Sequence, residues 1–300
     1  MMRRRWISAL VGLAGASTGF EVLAAEYVQI LEAPAPPAQL PLGEILGTHD
    51  GDMIGVMPGE FVLIRQGAIV KRFSVDGMSP SKSSTGPKGH VYLLFAGSLG
   101  GVVKVIDPAG SLVREIVCPE LVNPIAFAVD STGGFVALVR PAPDVEDPQP
   151  LLYRFDAAGS LLSTQLPGEV GRSRQMFRIA AGEGGEVALL RADEEMVYWL
   201  DAEGNEVLKV AAPASSLITA LGFVDGRLGV IRNRAVPKPA PEGVFAYRLE
   251  SPELVLYNRD GTTTTVPLPE EAVGANHIAP DGSVLRADQA GVRLFARHAR

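Results

Sequence analysis

Arg140, Arg191 and Arg232 each stand six residues after a glycine, at the end of a strongly apolar run, and Arg286 stands near the corresponding place after Gly282. Four guanidinium groups placed alike on a repeated element could clamp a carboxylate, a sulfate or a sugar acid through paired N–H···O bonds. The competing reading is ionic pairing. Asp144, Asp147, Asp193, Glu194, Glu195 and Asp288 follow the arginines within a few residues, and arginine–carboxylate links between structural units are the commoner outcome of such a pattern. Each exposed link of that kind contributes only about 0–1 kcal/mol.

Other chemistries find less support. His49, His90, His277 and His298 show no metal-binding spacing, such as the i, i+4 pair of a helix. The serines form no G-x-S-x-G elbow, which acyl transfer on an exposed nucleophile would need. "GSLGG" at 97–101 precedes an apolar alternating run and not a helix, so its backbone N–H groups do not form a phosphate cradle. Cys118 is the single cysteine, which excludes an intramolecular disulfide and a multi-cysteine zinc site and leaves a small buried hydrophobe. The net charge of −7, with no basic stripe after residue 5, argues against nucleic acid, because phosphate binding needs a basic face to displace counterions.

The elements that must position these residues are written in repeats. "VVKVIDPAGSLVREIV" at 102–117 recurs as "LLYRFDAAGSLLSTQL" at 151–166 and "MVYWLDAEGNEVLKVA" at 196–211. Each phrase is two alternating runs joined by Asp-x-x-Gly. The aspartate can accept from its own backbone farther on, and the glycine supplies the left-handed residue that closes a type I turn with a bulge. Asn258 and Gly261 form a fourth copy, and "FVLIRQGAIVKRF" at 61–73 a shortened one.

A second phrase, a glycine followed by an apolar strand, interleaves with the first. It opens at Gly51, Gly89, Gly134, Gly185, Gly226 and Gly282, a span of 231 residues over five intervals. The mean period of about 46 lies in the range of repeat units that stack into rings. Two hairpins per unit give four strands, a to d, and the abundance of glycine (33) and proline (23) fits short strands and turns. No unit could bury both faces of its small sheet alone, whereas a radial arrangement buries them against one another. The last unit supplies strands a, b and c and then ends, and "EYVQILEAP" at 26–34 is available as its strand d.

Over roughly residues 26–300, this pattern resembles the six-bladed β-propellers of exported bacterial proteins, with a loose similarity to NHL-type repeats. A seven-bladed ring is the alternative, disfavoured because only six second-phrase glycines occur. The histidine and tryptophan-aspartate signature of WD-type repeats is missing. The expected fold is all-β: six four-stranded blades closed by the amino-terminal strand. Residues 1–25, with three arginines, an uncharged run from Trp6 to Phe20 and then small residues, have the layout of a secretory signal, so a periplasmic or extracellular location is expected.

In such a ring the a–b and c–d turns share one face, and the b–c and d–a connections share the other. The long connections, at 76–89, 140–150, 167–175 and 233–253, all belong to the second face. Long loops on a rigid scaffold commonly carry function; the bland alternative is drift of Pro-rich insertions. The loop-side ends of the strand-a segments offer Glu44, Lys82, Asn123, Arg178, Thr219, Asn276 and His277 to a central channel. A lactonase of the gluconolactonase type, similar in architecture, implies a metal held by carboxylates and amides at the channel mouth. Only Glu44, Asn123 and Asn276 match such parts, too few converging oxygens to carry that site over. Phe245 and Tyr247, in the loop expected over 234–250, suit an apolar anchor with a polar tip. The expectation is an exported, non-enzymatic binding module without cofactor that offers its loop face to a protein, a peptide or an envelope glycan. Arg140, Arg178, Arg191, Arg232, Phe245, Tyr247, Asn276 and His277 are the candidate contacts. A metal-dependent hydrolase or lyase is the alternative.

Overall fold

The computed structural model describes residues 26–36, 40, 42–48, 50–140, 151–165, 177–191, 195–239 and 246–298. The expected leader, and the connections at 141–150 and 167–175, lie outside the described residues.

The first strand, β1 (Glu26–Ala33), stands apart in sequence from the sheet it joins. Blade 1 comprises β2 (Ile45–Gly47), β3 (Met53–Met57), β4 (Glu60–Arg65) and β5 (Ala68–Phe73), and blade 2 comprises β6 (Ser79–Thr85), β7 (Val91–Gly97), β8 (Gly100–Ile106) and β9 (Leu112–Cys118). In blade 3 these are β10 (Pro124–Val129), β11 (Phe135–Val139), β12 (Leu151–Phe155) and β13 (Leu161–Gln165). Blade 4 follows with β14 (Phe177–Ala181), β15 (Val187–Arg191), β16 (Met196–Leu200) and β17 (Glu206–Ala211). Blade 5 holds β18 (Ser216–Val224), β19 (Arg227–Pro237), β20 (Tyr247–Tyr257) and β21 (Thr263–Pro267). Blade 6 holds β22 (His277–Ile278), β23 (Val284–Asp288) and β24 (Gly291–His298), with β1 as its outermost strand. All pairings are antiparallel and the six sheets form a six-bladed β-propeller.

The second strands of blades 2 and 3 read as apolar runs because both of their faces are buried. In β7, Val91, Leu93 and Phe95 point to blade 1, where Phe61 meets Phe95 edge-on at 5.0 Å, while Tyr92 and Leu94 point to blade 3. The core is accordingly six separate clusters, one between each pair of neighbours. Cys118 is fully buried in one of them, and burial, then Glu120, pushes its thiol up to about 12.

The Asp-x-x-Gly turns take the expected form. Ser111 N donates to Asp107 Oδ1 at 2.7 Å and Ser160 N to Asp156 Oδ1 at 2.8 Å, and Gly110, Gly159 and Gly204 have φ of 83°, 91° and 87°. A register shift follows each turn, the bulge that the left-handed glycine permits. Close approach adds a second reason for glycine: a Cβ on Gly159 would stand 2.1 Å from Ile116 Cγ2 of blade 2, whereas one on Gly261 would meet nothing nearer than 3.7 Å.

Two connections differ from the sequence expectation. Part of the 76–89 passage is a strand: β6 is the innermost strand of blade 2. Its polar residues fooled the apolar-pattern reading because this strand is only half buried along the channel. The segment 234–250 is strand at both of its ends. β19 runs on to Pro237, β20 begins at Tyr247, and Lys238 N donates to Ala246 O at 2.8 Å. Cross-strand hydrogen bonds beyond the ring hold this ribbon where the side-chain alternation is weak.

Ring closure is made by β1 on β24, with Tyr27 opposite Arg297, Gln29 opposite Phe295 and Leu31 opposite Leu294. Tyr27 is buried and donates its hydroxyl to Gly282 O at 2.7 Å.

Two outcomes follow for the ring. Burial, ahead of opposing effects from Arg297 and Arg227, pushes the Tyr27 phenol up to about 12, so its stabilisation is complete below its ordinary value near 10 and is lost as pH rises through about 12. Tyr27→Phe should cost about 0.5–1.5 kcal/mol in urea unfolding at neutral pH and flatten the decline between about pH 10 and 12. Deletion of 26–34 should yield insoluble protein, since the inner face and edge of β24 would be bare. For the turns, Gly261→Ala should cost about 1–2 kcal/mol from the left-handed backbone alone, and Gly159→Ala roughly 1–3 kcal/mol more from the clash with Ile116. Equal losses would show that packing against the preceding blade is irrelevant.

Candidate functional site

The channel widens toward the face that carries the b–c and d–a connections. A cavity of about 340 Å³ opens there, whereas the space at the opposite end, beside Asp130 and Pro280, is about 70 Å³. The six innermost strands form its wall, because each presents one unpaired edge to the channel axis.

Of the seven channel residues expected from the sequence, Glu44, Lys82, Arg178, Asn276 and His277 line this one cavity. Ile45, Ile125, Phe127, Ile179 and Leu221 supply apolar wall between them. Lys82 Nζ reaches Glu44 Oε2 at 3.3 Å across the blade 1–blade 2 boundary. His277 Nε2 lies 2.7 Å from Thr85 Oγ1 of blade 2, which fixes the imidazole deep in the mouth. Asn276 has its amide occupied: Nδ2 donates to Ala287 O at 2.9 Å and Oδ1 accepts from Ala287 N at 3.1 Å. Asn123 takes a left-handed conformation (φ 52°) and its carbonyl accepts from Arg140 N. Among the described residues no three His, Cys, Asp or Glu side chains converge as a metal site would require.

Arg178 differs from its neighbours. Its side chain is open to the cavity, yet protein surrounds enough of it that desolvation holds the guanidinium below the usual arginine range, against the fields of Glu44 and Glu195. No ion pair or hydrogen bond of its side chain occurs among the described residues. Glu195 takes φ 48° and accepts from Ile218 N at 3.3 Å; burial, ahead of that bond and of Arg178, raises its carboxyl above the usual range.

The row of arginines at the ends of the second strands does not converge. Arg232 pairs with Glu253, directly opposite on β20. Arg286 bonds Asp288 Oδ2 at 2.7 Å and Glu271 O at 3.3 Å. Arg191 ends β15 opposite Met196, and Arg140 is exposed just after β11. The pairs made by Arg232 and Arg286 are each within one blade.

The remaining candidates sit on the blade 5 ribbon. β19 and β20 are 11 residues each, against five to seven for their counterparts in blades 1 to 4. Tyr247, 47% exposed, lies opposite Pro237 near the far end, and Arg234 and Arg248 flank Glu250. Phe245 lies outside the described residues. At the ribbon's base β20 carries an extra residue, with Ser251 at φ 50°, a bulge that sets the ribbon's direction. Asn233 anchors it. This side chain is fully buried, donates from Nδ2 to Thr219 Oγ1 at 2.9 Å and accepts from Gly274 N at 3.1 Å. Thr219, read from the sequence as a channel residue, serves this anchor. Asn233 itself was legible only as a polar residue between two arginines, a signal too weak to place it in a core.

No protein-family model and no curated protein matches the chain. The fold is similar to the RRP9 WD40 repeats (7% identity, 91% of this chain and 100% of that chain, TM-score 0.55). It is also similar to U3-55K (9% identity, 92% and 99%, TM-score 0.52). A protein of unknown function from Bacteroides caccae is a third (12% identity, 77% and 83%, TM-score 0.50). At these identities the likeness is one of fold alone.

Asn233→Ala should leave the Thr219 hydroxyl and the Gly274 N–H without partners inside the protein and cost about 1–3 kcal/mol in urea unfolding. A loss under about 0.5 kcal/mol would mean that water replaces the amide at this elbow.

Proposed function

We propose that this chain is an exported binding module that uses the loop face of its ring to hold a protein, a peptide or an envelope glycan. The observation that carries this reading is the blade 5 ribbon. It extends from the face on which the channel is widest, it is braced by a buried asparagine and a bulge, and it holds an exposed tyrosine among paired charges. A ribbon with no recognition task would gain nothing from an exposed aromatic, and rigid aromatic anchors with a charged rim are the common composition of interface centres. The basic and uncharged layout of residues 1–25 supports export. The surface charge and the absence of a basic stripe are consistent with partners other than nucleic acid.

Replacing residues 236–248 with a short Gly/Ser linker leaves Asn233 and Ser251 in place, so the melting temperature should move by no more than a few degrees. The same change, and Tyr247→Ala alone, should each abolish retention of envelope components by the immobilised protein. Unchanged retention in both variants would overturn the reading, and an unfolded ring would show that the ribbon is part of the core.

A further inference from the structure

We propose that the outer edge of β20, on the blade 5 ribbon, takes an extended acidic peptide as an added strand, with the peptide's carboxylates beside Arg234, Lys238 and Arg248. This edge serves the binding role proposed above for the ribbon, on which the inference rests, and it narrows the partner to a polypeptide held by its backbone.

The ladder of the ribbon decides which edge is open. Lys238 N donates to Ala246 O at 2.8 Å, which makes these two residues a hydrogen-bonded pair, and in an antiparallel ladder such pairs alternate with non-bonded ones. Along the ribbon Pro237 stands opposite Tyr247, Val236 opposite Arg248, Ala235 opposite Leu249 and Arg234 opposite Glu250. The N–H and C=O groups of Tyr247 and Leu249 therefore point away from β19. On the β19 side the corresponding donors are closed, since Pro237 has no N–H and Ala235 N donates to Ser215 O at 2.8 Å. On the β20 side, β21 ends at Pro267 opposite Glu253, and no backbone hydrogen bond reaches the outer side of Tyr247 or Leu249 among the described residues. An added strand would continue the line of β21. An unguarded edge of this kind is the template for strand addition.

The side chains set the chemistry of the added strand. Cross-strand partners share a face, so Arg234, Lys238, Arg248 and Glu250 stand on one side of the ribbon and Ala235, Pro237, Tyr247 and Leu249 on the other. Glu250 is paired with both Arg234 and Arg248. Three cations against one carboxylate leave a net positive face on a chain whose net charge is −7. A strand laid beside β20 turns alternate residues to these two faces, so the matching segment alternates acidic with apolar residues. A basic peptide would meet like charge, and an acidic glycan has no amide ladder to match the edge.

The probe is a blocked, fluorescently labelled octapeptide of alternating glutamate and valine, followed by anisotropy with the full chain. Saturable binding is expected, with a lysine–valine octapeptide at least about tenfold weaker. Two further copies, methylated on the backbone nitrogens of the valines in one and of the glutamates in the other, each lose the N–H groups of one edge. One copy should bind at least about tenfold weaker and the other within about threefold of the parent peptide. Lys238→Glu with Arg248→Glu makes the face net negative and should reverse the preference, so that the lysine–valine peptide binds about tenfold tighter than the glutamate–valine one. Tyr247→Pro removes an outward N–H that the ribbon itself does not use, and should weaken the peptide by about fivefold more than Tyr247→Ala does. Failure of the glutamate–valine peptide to saturate at millimolar concentration would overturn the proposal, as would equal binding of the lysine–valine peptide or of the two methylated copies. If oligoglucuronate binds in a Tyr247-dependent way and the peptide does not, the strand-addition inference is lost while the ribbon's binding role stands. Self-association that disappears in Tyr247→Pro would assign the edge to a second copy of the chain and would also end the proposal.

Discussion

Every blade here depends on its neighbours for burial, so the molecule stands or falls on the closure of the ring. A four-stranded sheet with apolar residues on both faces cannot persist alone, and the six interblade clusters exist only while all six boundaries are present. One boundary of the circle must be made by strands from opposite ends of the chain. β1 does this by pairing with β24 while placing Tyr27 among Val224, Ile278 and Phe295, so backbone pairing and packing close the same seam. Bringing residues 26–33 to residues 292–298 carries the loop-closure entropy of nearly the whole chain. The buried Tyr27–Gly282 bond and the seven-residue register offset that loss locally.

A second set of links strengthens the boundaries at the rim. The Asp-x-x-Gly turns expose carbonyls that the preceding blade binds. Lys71 reaches Gly110 O, Arg114 reaches Ala157 O, and Arg154 reaches Asp201 O and Ala202 O. Arg154 is almost completely buried in doing so, and its guanidinium is held below the usual range by desolvation. The turn sequence therefore has two roles. It reverses the chain, and it presents a fixed carbonyl at a place where the next blade's neighbour can bond it. Charged residues on this face are used to hold the ring together.

The opposite face is built differently, and the contrast between Arg154 and Arg178 states the difference. Arg154 is buried and Arg178 is exposed. Arg154 is bonded to the backbone oxygens of Asp201 and Ala202, whereas Arg178 faces a cavity and makes no such contact among the described residues. A scaffold stabilised on one face can carry a protruding ribbon on the other, the usual division between stability and function in rigid repeat architectures.

The sequence by itself determined the architecture. Turn chemistry is local, since an aspartate and a glycine three residues apart specify the c–d turn wherever they occur. The apolar runs specify doubly buried strands, and the period of the glycines specifies six of them. The missing strand of the last unit could be assigned to residues 26–34 because no other segment was left over. Five of seven channel residues were also legible, because they stand at the loop-side ends of innermost strands, whose free edge faces the channel. Tertiary structure decided what depends on neighbours distant in the chain. The polar strand β6 has no apolar signal, because its partner surface is a channel. The length of the blade 5 ribbon is set by cross-strand bonds, and the burial of Asn233 is set by Thr219 and Gly274 from other elements. The fates of the arginines were the least legible of all: whether a guanidinium meets a carboxylate is a matter of a few ångströms across strands, and a pattern of spacing along the chain does not contain that distance.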